Sequence, residues 1–437
     1  MNGRSSVALG FLLLILAGAV ALSSPWARNA GAWGGWGDAL FTSCSAVCVT
    51  GLTTVDVARE FSFAGQIALL ALVEIGCLGL MTCGTFMLVA IGRRLSLSSE
   101  FSLMNAYGVE KIRGVRGLLL WVVGSMLAIE GLGAALLYWR FRDAYLSLFY
   151  SVMGFCNAGF GLFPGSLARF ADDPYVLFVL AGETVLGGIG FLVIYNLCTY
   201  PFHRRAPGAR RRLSLHSAVV LRMTGCLLLG AFAAFLLVEW RASLAGMPLA
   251  QKLWVSFYQA VTPRTCGFCV VPTETLQPLT RHIYEALMFI GGAPGSAAAG
   301  IKVTTLAVLI YTILAMCRGD SETVIWRRAV PADVVRESIV IVTALLAFAG
   351  LTTGALLYTE SGGPIAQDAL TFEAVSAITT TGLSVGTTTA DLSAAGRAVV
   401  MAAMFVGRLG ALTVVMMIGD REAKARLRYP SEELVVG

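Results

Sequence analysis

The sequence predicts an all-α polytopic membrane protein in which one helix–loop–helix unit recurs four times. Three observations carry this. The 437 residues are 57% hydrophobic and only 13% charged, with a mean hydropathy of +0.76, too little charge to cover a soluble domain of that length. Apolar runs long enough to cross a bilayer recur from end to end. Between them lie four short stretches that each turn on one glycine. They are SAVCVTGLTTVD (45–56) around Gly51, GFCNAGFG (154–161) around Gly159, AVTPRTCGF (260–268) around Gly267 and AITTTGLS (377–384) around Gly382.

The elements follow in order. Residues 7–22 form the first apolar segment, preceded by Arg4. It reads as a retained helix rather than a signal peptide, because the other three glycine stretches also follow an apolar helix. Trp26, Trp33 and Trp36 mark its exit from the bilayer. Asp38 opens a short helical piece ending at Thr50 and Gly51, and 67–91 spans next, running into Arg93 and Arg94. In the second unit 118–138 spans, Asp143 opens a short helix, Gly159 makes the break and 175–197 spans back. In the third, 218–238 spans, 248–261 is the short helix, Gly267 is the break and a long segment covers 282–316. In the fourth, 338–357 spans, 368–378 is short, Gly382 is the break and 397–418 spans last. That makes eight spanning helices and four half-inserted ones. The units occupy 1–100, 101–212, 213–320 and 321–420, with a cytosolic tail at 421–437.

A second marker keeps the same register. About 25 residues after each key glycine stands a cluster of small residues: Gly76-Cys77-Leu78-Gly79, Gly187-Gly188-Ile189-Gly190, Gly291-Gly292-Ala293-Pro294 and Gly407-Arg408-Leu409-Gly410. For most of these glycines close helix packing is the expected role. Basic residues fix the orientation. Arg93, Arg94, Lys111, Arg113 and Arg116 follow unit one, and Arg204, Arg205, Arg210, Arg211, Arg212 and Arg222 follow unit two. Arg318, Arg327, Arg328 and Arg336 follow unit three, and Arg421, Lys424, Arg426 and Arg428 lie in the tail. These loops and both termini are expected in the cytoplasm of a cell (inner or plasma) membrane protein, so the glycine stretches enter from outside. The net charge of +6 is topological; it points to membrane lipids as neighbours and not to nucleic acid.

Irregular backbone at membrane depth is tolerated only where it is buried in protein or lines a water-filled path. Carbonyl oxygens can replace the hydration shell of an ion such as potassium. A glycine frees the backbone to turn them inward, and the negative end of a preceding short helix favours cations. Four parallel helix–pore-loop–helix repeats around one central ion pore therefore fit the pattern. The residues expected at the selectivity filter are Val49, Thr50, Gly51; Asn157, Ala158, Gly159; Thr265, Cys266, Gly267; and Thr380, Thr381, Gly382.

SAVCVTGLT, FCNAGF, VTPRTCGF and TTTGLS resemble the four filter segments of the Trk/Ktr/HKT superfamily of potassium transporters, over nearly the whole chain. The chain is most similar to the Ktr type of membrane subunit, because no extra helices precede unit one and because YPSEELVVG (429–437) resembles a Ktr tail. The resemblance implies a homodimer with one pore per protomer, seated on a cytosolic ring of RCK-type subunits (KtrA-like) that bind ATP or ADP. It implies potassium as substrate, with sodium a candidate activator, and no cofactor in this chain.

Two features point to a gate. The segment 282–316 is too long for one straight span. Its middle holds Gly291, Gly292, Ala293, Pro294, Gly295, Ser296, Ala297, Ala298, Ala299 and Gly300, with Lys302 closing it. Proline and glycine break a helix there, and the resemblance implies a gating loop at 291–302. Arg408 lies inside an apolar helix where a charge is costly unless paired; loop carbonyls are its expected partners, and Lys302 is a second candidate anchor. Arg264 beside the third filter is expected to brace the pore loop by bonding to carbonyls or an acid. Glu74, Glu130, Glu183 and Glu373 are open between function and structural pairing. Cys266 and Cys269, a C-x-x-C, read as small buried residues. No nucleophile–base set appears, so the chain is not expected to be an enzyme. The competing reading is an alternating-access sodium/potassium symporter; such carriers often have inverted repeats, whereas these units all start on one side.

Overall fold

In the computed structural model the described residues are 3–94, 114–200 and 213–410. Four times a helix, a short helix, a glycine turn and a further helix follow one another. The first set is α1 (Gly3–Ser23), α2 (Trp36–Val47) and α3 (Phe63–Arg94). The second is α4 (Gly114–Phe141), α5 (Ala144–Cys156), α6 (Pro174–Ile189) and α7 (Phe191–Thr199). The third is α8 (Leu215–Glu239), α9 (Leu249–Val261), α10 (Pro278–Phe289) and α11 (Val303–Arg318). The fourth is α12 (Ala332–Thr359), α13 (Gln367–Ile378) and α14 (Ala394–Leu409). Local chemistry sets the starts. Asp143 accepts a hydrogen bond from Leu146 N at 3.0 Å, Asp173 caps α6 before Pro174, and Ser214 and Ser393 cap α8 and α14.

The distribution of side chains is the reverse of a soluble bundle. The short helices α2, α5 and α13 are mostly buried, and α9 is buried over its C-terminal half, although they carry Ser, Thr, Cys, Gln and Glu. The long helices turn Leu120, Leu132, Leu229, Leu237 and Leu351 outward. By length and composition, α4, α8 and α12 can each cross a bilayer, and the bent pair α6–α7 would add a fourth among the described residues. Hydroxyls tie short helices to their predecessors. Ser43 donates to Ile15 O at 2.7 Å and Ser151 to Glu130 O at 2.7 Å, each eight residues before its key glycine.

The small-residue clusters pack as their register suggests. Gly76, Gly187 and Gly407 press against the main chain of Val47, Phe155 and Ile378, each four residues before a key glycine. An added Cβ would lie 2.9, 3.0 and 2.8 Å from those carbonyl carbons, so each outgoing helix rests on the end of its short helix through a glycine.

The structure differs from the sequence reading in three places. The segment 175–197 is not one span: α6 and α7 meet at 100° across Gly190, whose φ is 81°. The last helix stops at Leu409, with Gly410 at φ 83°; the rest of 397–418 lies outside the described residues. A two-residue hairpin, Val324–Ile325 with Arg328–Ala329, interrupts an otherwise helical chain, turning through Trp326 and Arg327 at positive φ. The segment 282–316 is broken as expected, into α10 and α11. The tail 421–437 and the basic positions at 111, 113, 204, 205 and 210–212 lie outside the described residues.

Candidate functional site

The four key glycines come together in chain order. A Cβ built on Gly51 would meet Ala158 O and lie 2.9 Å from Gly159 Cα. One on Gly159 would lie 3.0 Å from Gly267 Cα, and one on Gly267 would lie 2.8 Å from Thr381 O and 3.5 Å from Gly382 Cα. One on Gly382 would meet Thr50 O and lie 3.3 Å from Gly51 Cα, which closes the ring.

The backbone repeats its conformation around that ring. The glycines have φ of 96°, 71°, 80° and 86°, and the residue two before each, Val49, Asn157, Thr265 and Thr380, is also left-handed at 53°, 59°, 67° and 48°. Thr50, Ala158, Cys266 and Thr381 between them are not. Alternating the sign of φ turns successive peptide planes the same way, whereas in a strand they alternate. Three of the left-handed residues are β-branched, a conformation that is strained and persists only where its surroundings impose it.

The helix ends explain how it is imposed. Val49 N donates to Ala46 O at 3.0 Å and Thr50 N to Ser45 O at 2.8 Å. The same pair recurs at Asn157 and Ala158 (3.3 and 2.9 Å) and at Thr380 and Thr381 (3.1 and 2.9 Å). This is the Schellman closure, which needs a left-handed residue just past the helix. The third unit departs: Cys266 N returns to Thr262 O at 3.1 Å. These closures use the amides. Among the described residues no hydrogen bond ends on any of the twelve carbonyls from Val49–Gly51, Asn157–Gly159, Thr265–Gly267 and Thr380–Gly382. Thr50, Asn157, Thr265 and Thr380 also keep buried side-chain polar atoms without a partner. Nine of the twelve residues are buried, and Gly51, Gly159 and Gly382 are half-buried. Buried carbonyls are paired in the great majority of cases, so this ring is a concentrated supply of oxygen ligands.

The segment between α10 and α11 closes on itself. Gly291 N donates to Ile301 O at 3.0 Å, Ile301 N to Phe289 O at 2.8 Å and Val303 N to Gly292 O at 3.0 Å. Arg408 is 1% exposed; it donates to Ala297 O at 2.9 Å and to Gly76 O at 3.0 Å, joining units four, three and one. Lys302 Nζ donates to Ala298 O at 2.6 Å, and Arg264 donates to Gly291 O at 3.0 Å. Arg264 thus braces this loop and not its own glycine stretch.

The acids are brackets between elements. Glu373 accepts from Ser384 at 2.7 Å and from Thr389, and a carboxylate oxygen of Glu183 lies against the Ser151 hydroxyl. Carboxylate oxygens of Glu74 and Glu130 and the Cys156 thiol lie within 4.8 Å of one another. None of Glu74, Glu130, Glu183 and Glu373 joins an ion pair among the described residues. Cys266 and Cys269 are free thiols, and Cys266 contacts Thr184 Oγ1 at 3.3 Å. Sequence reasoning missed the left-handed residues, the Gly76 carbonyl under Arg408 and the tie of Asp38 to Thr54 and Arg397 at 2.8 and 3.0 Å. Only Gly76 had a signal, its place in a small-residue cluster.

Comparison with known proteins gives consistent results. Residues 24–422 match the family model described as TrkH, cation transport protein. The chain is 35% identical to the Ktr system potassium uptake protein B of Bacillus subtilis, over 99% of this chain and 96% of that protein. It is 32% identical, with the same coverage, to the potassium/sodium uptake protein NtpJ of Enterococcus hirae. The crystal structure of the potassium transporter TrkH from Vibrio parahaemolyticus is similar in fold, with a TM-score of 0.76 at 16% identity, covering 96% of this chain and 85% of that one.

Proposed function

The chain belongs to the TrkH family of cation transport proteins, and from that premise we propose that it carries potassium into the cell through a gated, channel-like pore. The observation that carries the reading is the ring of twelve carbonyls without hydrogen-bond partners. A dehydrated cation needs oxygen ligands in place of water, and a buried carbonyl needs a partner; each supplies what the other lacks. The C-terminal ends of α2, α5, α9 and α13 lead directly into that ring, so their negative dipole ends favour positive charge there. The four units then act as parallel repeats, with eight spans and four pore helices around one axis and both termini in the cytoplasm.

In this reading the loop at 291–302, held by Arg408 and Lys302, is the gate. Its backbone groups have left the helix ladder and its small side chains present little to dismantle. The guanidinium also raises the barrier to cations in the path. The functional unit is a homodimer in the cell membrane. A cytosolic RCK-type ring that binds ATP or ADP controls it, a reading supported by the "Ktr system" in the names of relatives. The name of the Enterococcus relative, potassium/sodium uptake protein, keeps a sodium-coupled carrier as the second reading. The test is flux of potassium, rubidium and sodium into liposomes holding the full chain. Potassium and rubidium should pass and sodium should lag. Equal sodium passage would sink the filter, and potassium uptake at fixed stoichiometry to sodium would favour the carrier.

A further inference from the structure

The break at Gly190 has no proline to cause it. In a continuous helix Phe191 N would donate to Gly187 O, and Leu192 N to Gly188 O. Here Phe191 N donates instead to Gly295 O at 3.2 Å, Gly187 O accepts from Ala297 N at 3.1 Å, and Gly188 O accepts from Ala293 N at 2.8 Å. Three of the groups released by the break, Gly187 O, Gly188 O and Phe191 N, are satisfied by the loop at 291–302, about a hundred residues further along the chain. The fit is close on both sides. A Cβ on Gly190 would lie 2.9 Å from Pro294 O and 3.2 Å from Gly295 C. One on Gly295 would run into the Phe191 ring at 2.6 Å.

We propose that the joint at 187–191 is the seat that positions the loop in the pore, and that seating the loop and straightening α6–α7 are mutually exclusive states. With the loop seated, the joint stays open because its polar groups are paired across it. With the loop withdrawn, Gly187 O and Phe191 N are left buried and unpaired, and the way to satisfy them is to close the helix. Gly190 has φ 81°, a conformation that glycine alone holds at no cost. It is therefore a positioning residue: it keeps the bent state accessible. Because α7 leads in sequence to the basic stretch that begins at Arg204, a partner pulling on that stretch would act on the seat. This inference rests on the gate reading above and assigns its regulation to a second element.

The experiment compares three full-length variants in liposomes with the unchanged protein. Gly190→Ala favours the continuous helix, and rubidium flux should rise by roughly an order of magnitude, the shift expected from losing one or two net hydrogen bonds of the closed state. Selectivity should not change. Gly182→Ala lies in α6 where a Cβ meets nothing, so its flux should match the unchanged protein. The third variant deletes 295–299 and removes two of the seat's three partners.

Spin labels introduced at Tyr175 and Leu197 report the bend. At 1.5 Å per residue and 100° between the axes they stand about 23 Å apart, and about 33 Å apart if the helix straightens. Both Gly190→Ala and the deletion should lengthen this distance. The deletion tests the proposal even if Gly190→Ala fails to fold. A raised flux with an unchanged distance in either variant overturns the seat while leaving the gate. A deletion that leaves flux at the original rate overturns the gate itself.

Discussion

At the scale of single residues the site depends on backbone conformations that side chains resist. Gly51 has φ 96°, and a Cβ there would meet the main chain of Ala158 and Gly159. Gly51→Ser adds that Cβ at a cost of about 1–2 kcal/mol for a left-handed residue, so the potassium-to-sodium ratio should fall by roughly tenfold. An unaltered series of fluxes across the four glycine-to-serine variants would exclude a filter here. Arg408 makes the complementary case. Its two bonds, to Ala297 O and Gly76 O, are charge-assisted and buried. Arg408→Ala should raise potassium flux by roughly tenfold by unlatching the loop, with the selectivity series intact; flux at the original rate would make the arginine a packing residue. The glycines of the ring were legible in the sequence because only glycine takes φ above zero freely. Val49, Thr265 and Thr380 were not, since nothing in a β-branched residue announces a left-handed turn. Val49 and Thr380 are held there by the Schellman closure, Thr265 sits inside the turn that Cys266 N closes on Thr262 O, and the neighbouring segments complete the hold.

Elements show the same division between what repeats locally and what is imposed from a distance. The short helices could be read because polar and small residues sit between long apolar runs, and the loop at 291–302 because Pro294 and its glycines cannot continue a helix. The bend at Gly190 could not. Gly187-Gly188-Ile189-Gly190 reads like Gly76-Cys77-Leu78-Gly79, yet only the first is broken within the described residues. The difference is the loop that bonds to it. Deleting 295–299 removes the Arg408 acceptor on Ala297 and should leave the pore conducting without a partner. Flux in liposomes is expected to rise by roughly tenfold or more, since both Arg408 and the joint lose their hold. If flux and its regulation stay normal, the segment is packing and the gate lies elsewhere.

At the scale of the whole molecule the fold class was legible from composition and the internal repeat alone, because a bilayer leaves few ways to satisfy a backbone. The proposed cytosolic control was not legible in that way: it came from the family resemblance alone, because a surface formed with another protein leaves no pattern in one chain. The positive-inside rule would place the basic stretches after units one and two in the cytoplasm. Unit two supplies the more direct mechanical route: α7 runs from the joint at Gly190 to Thr199, and Arg204, Arg205 and Arg210–Arg212 follow in sequence. A nucleotide-binding ring docked there would change the loop's position without touching the filter. The expected outcome is a homodimer by light scattering whose potassium flux changes several-fold between ATP and ADP when the partner is present. Replacing Arg204, Arg205, Arg210, Arg211 and Arg212 with alanine should abolish that nucleotide response while leaving partner-free flux and selectivity as they were. A monodisperse monomer, fully active and indifferent to nucleotide with the partner bound, would remove both the dimer and the cytosolic control. A variant that keeps its nucleotide response would move the docking surface to another loop.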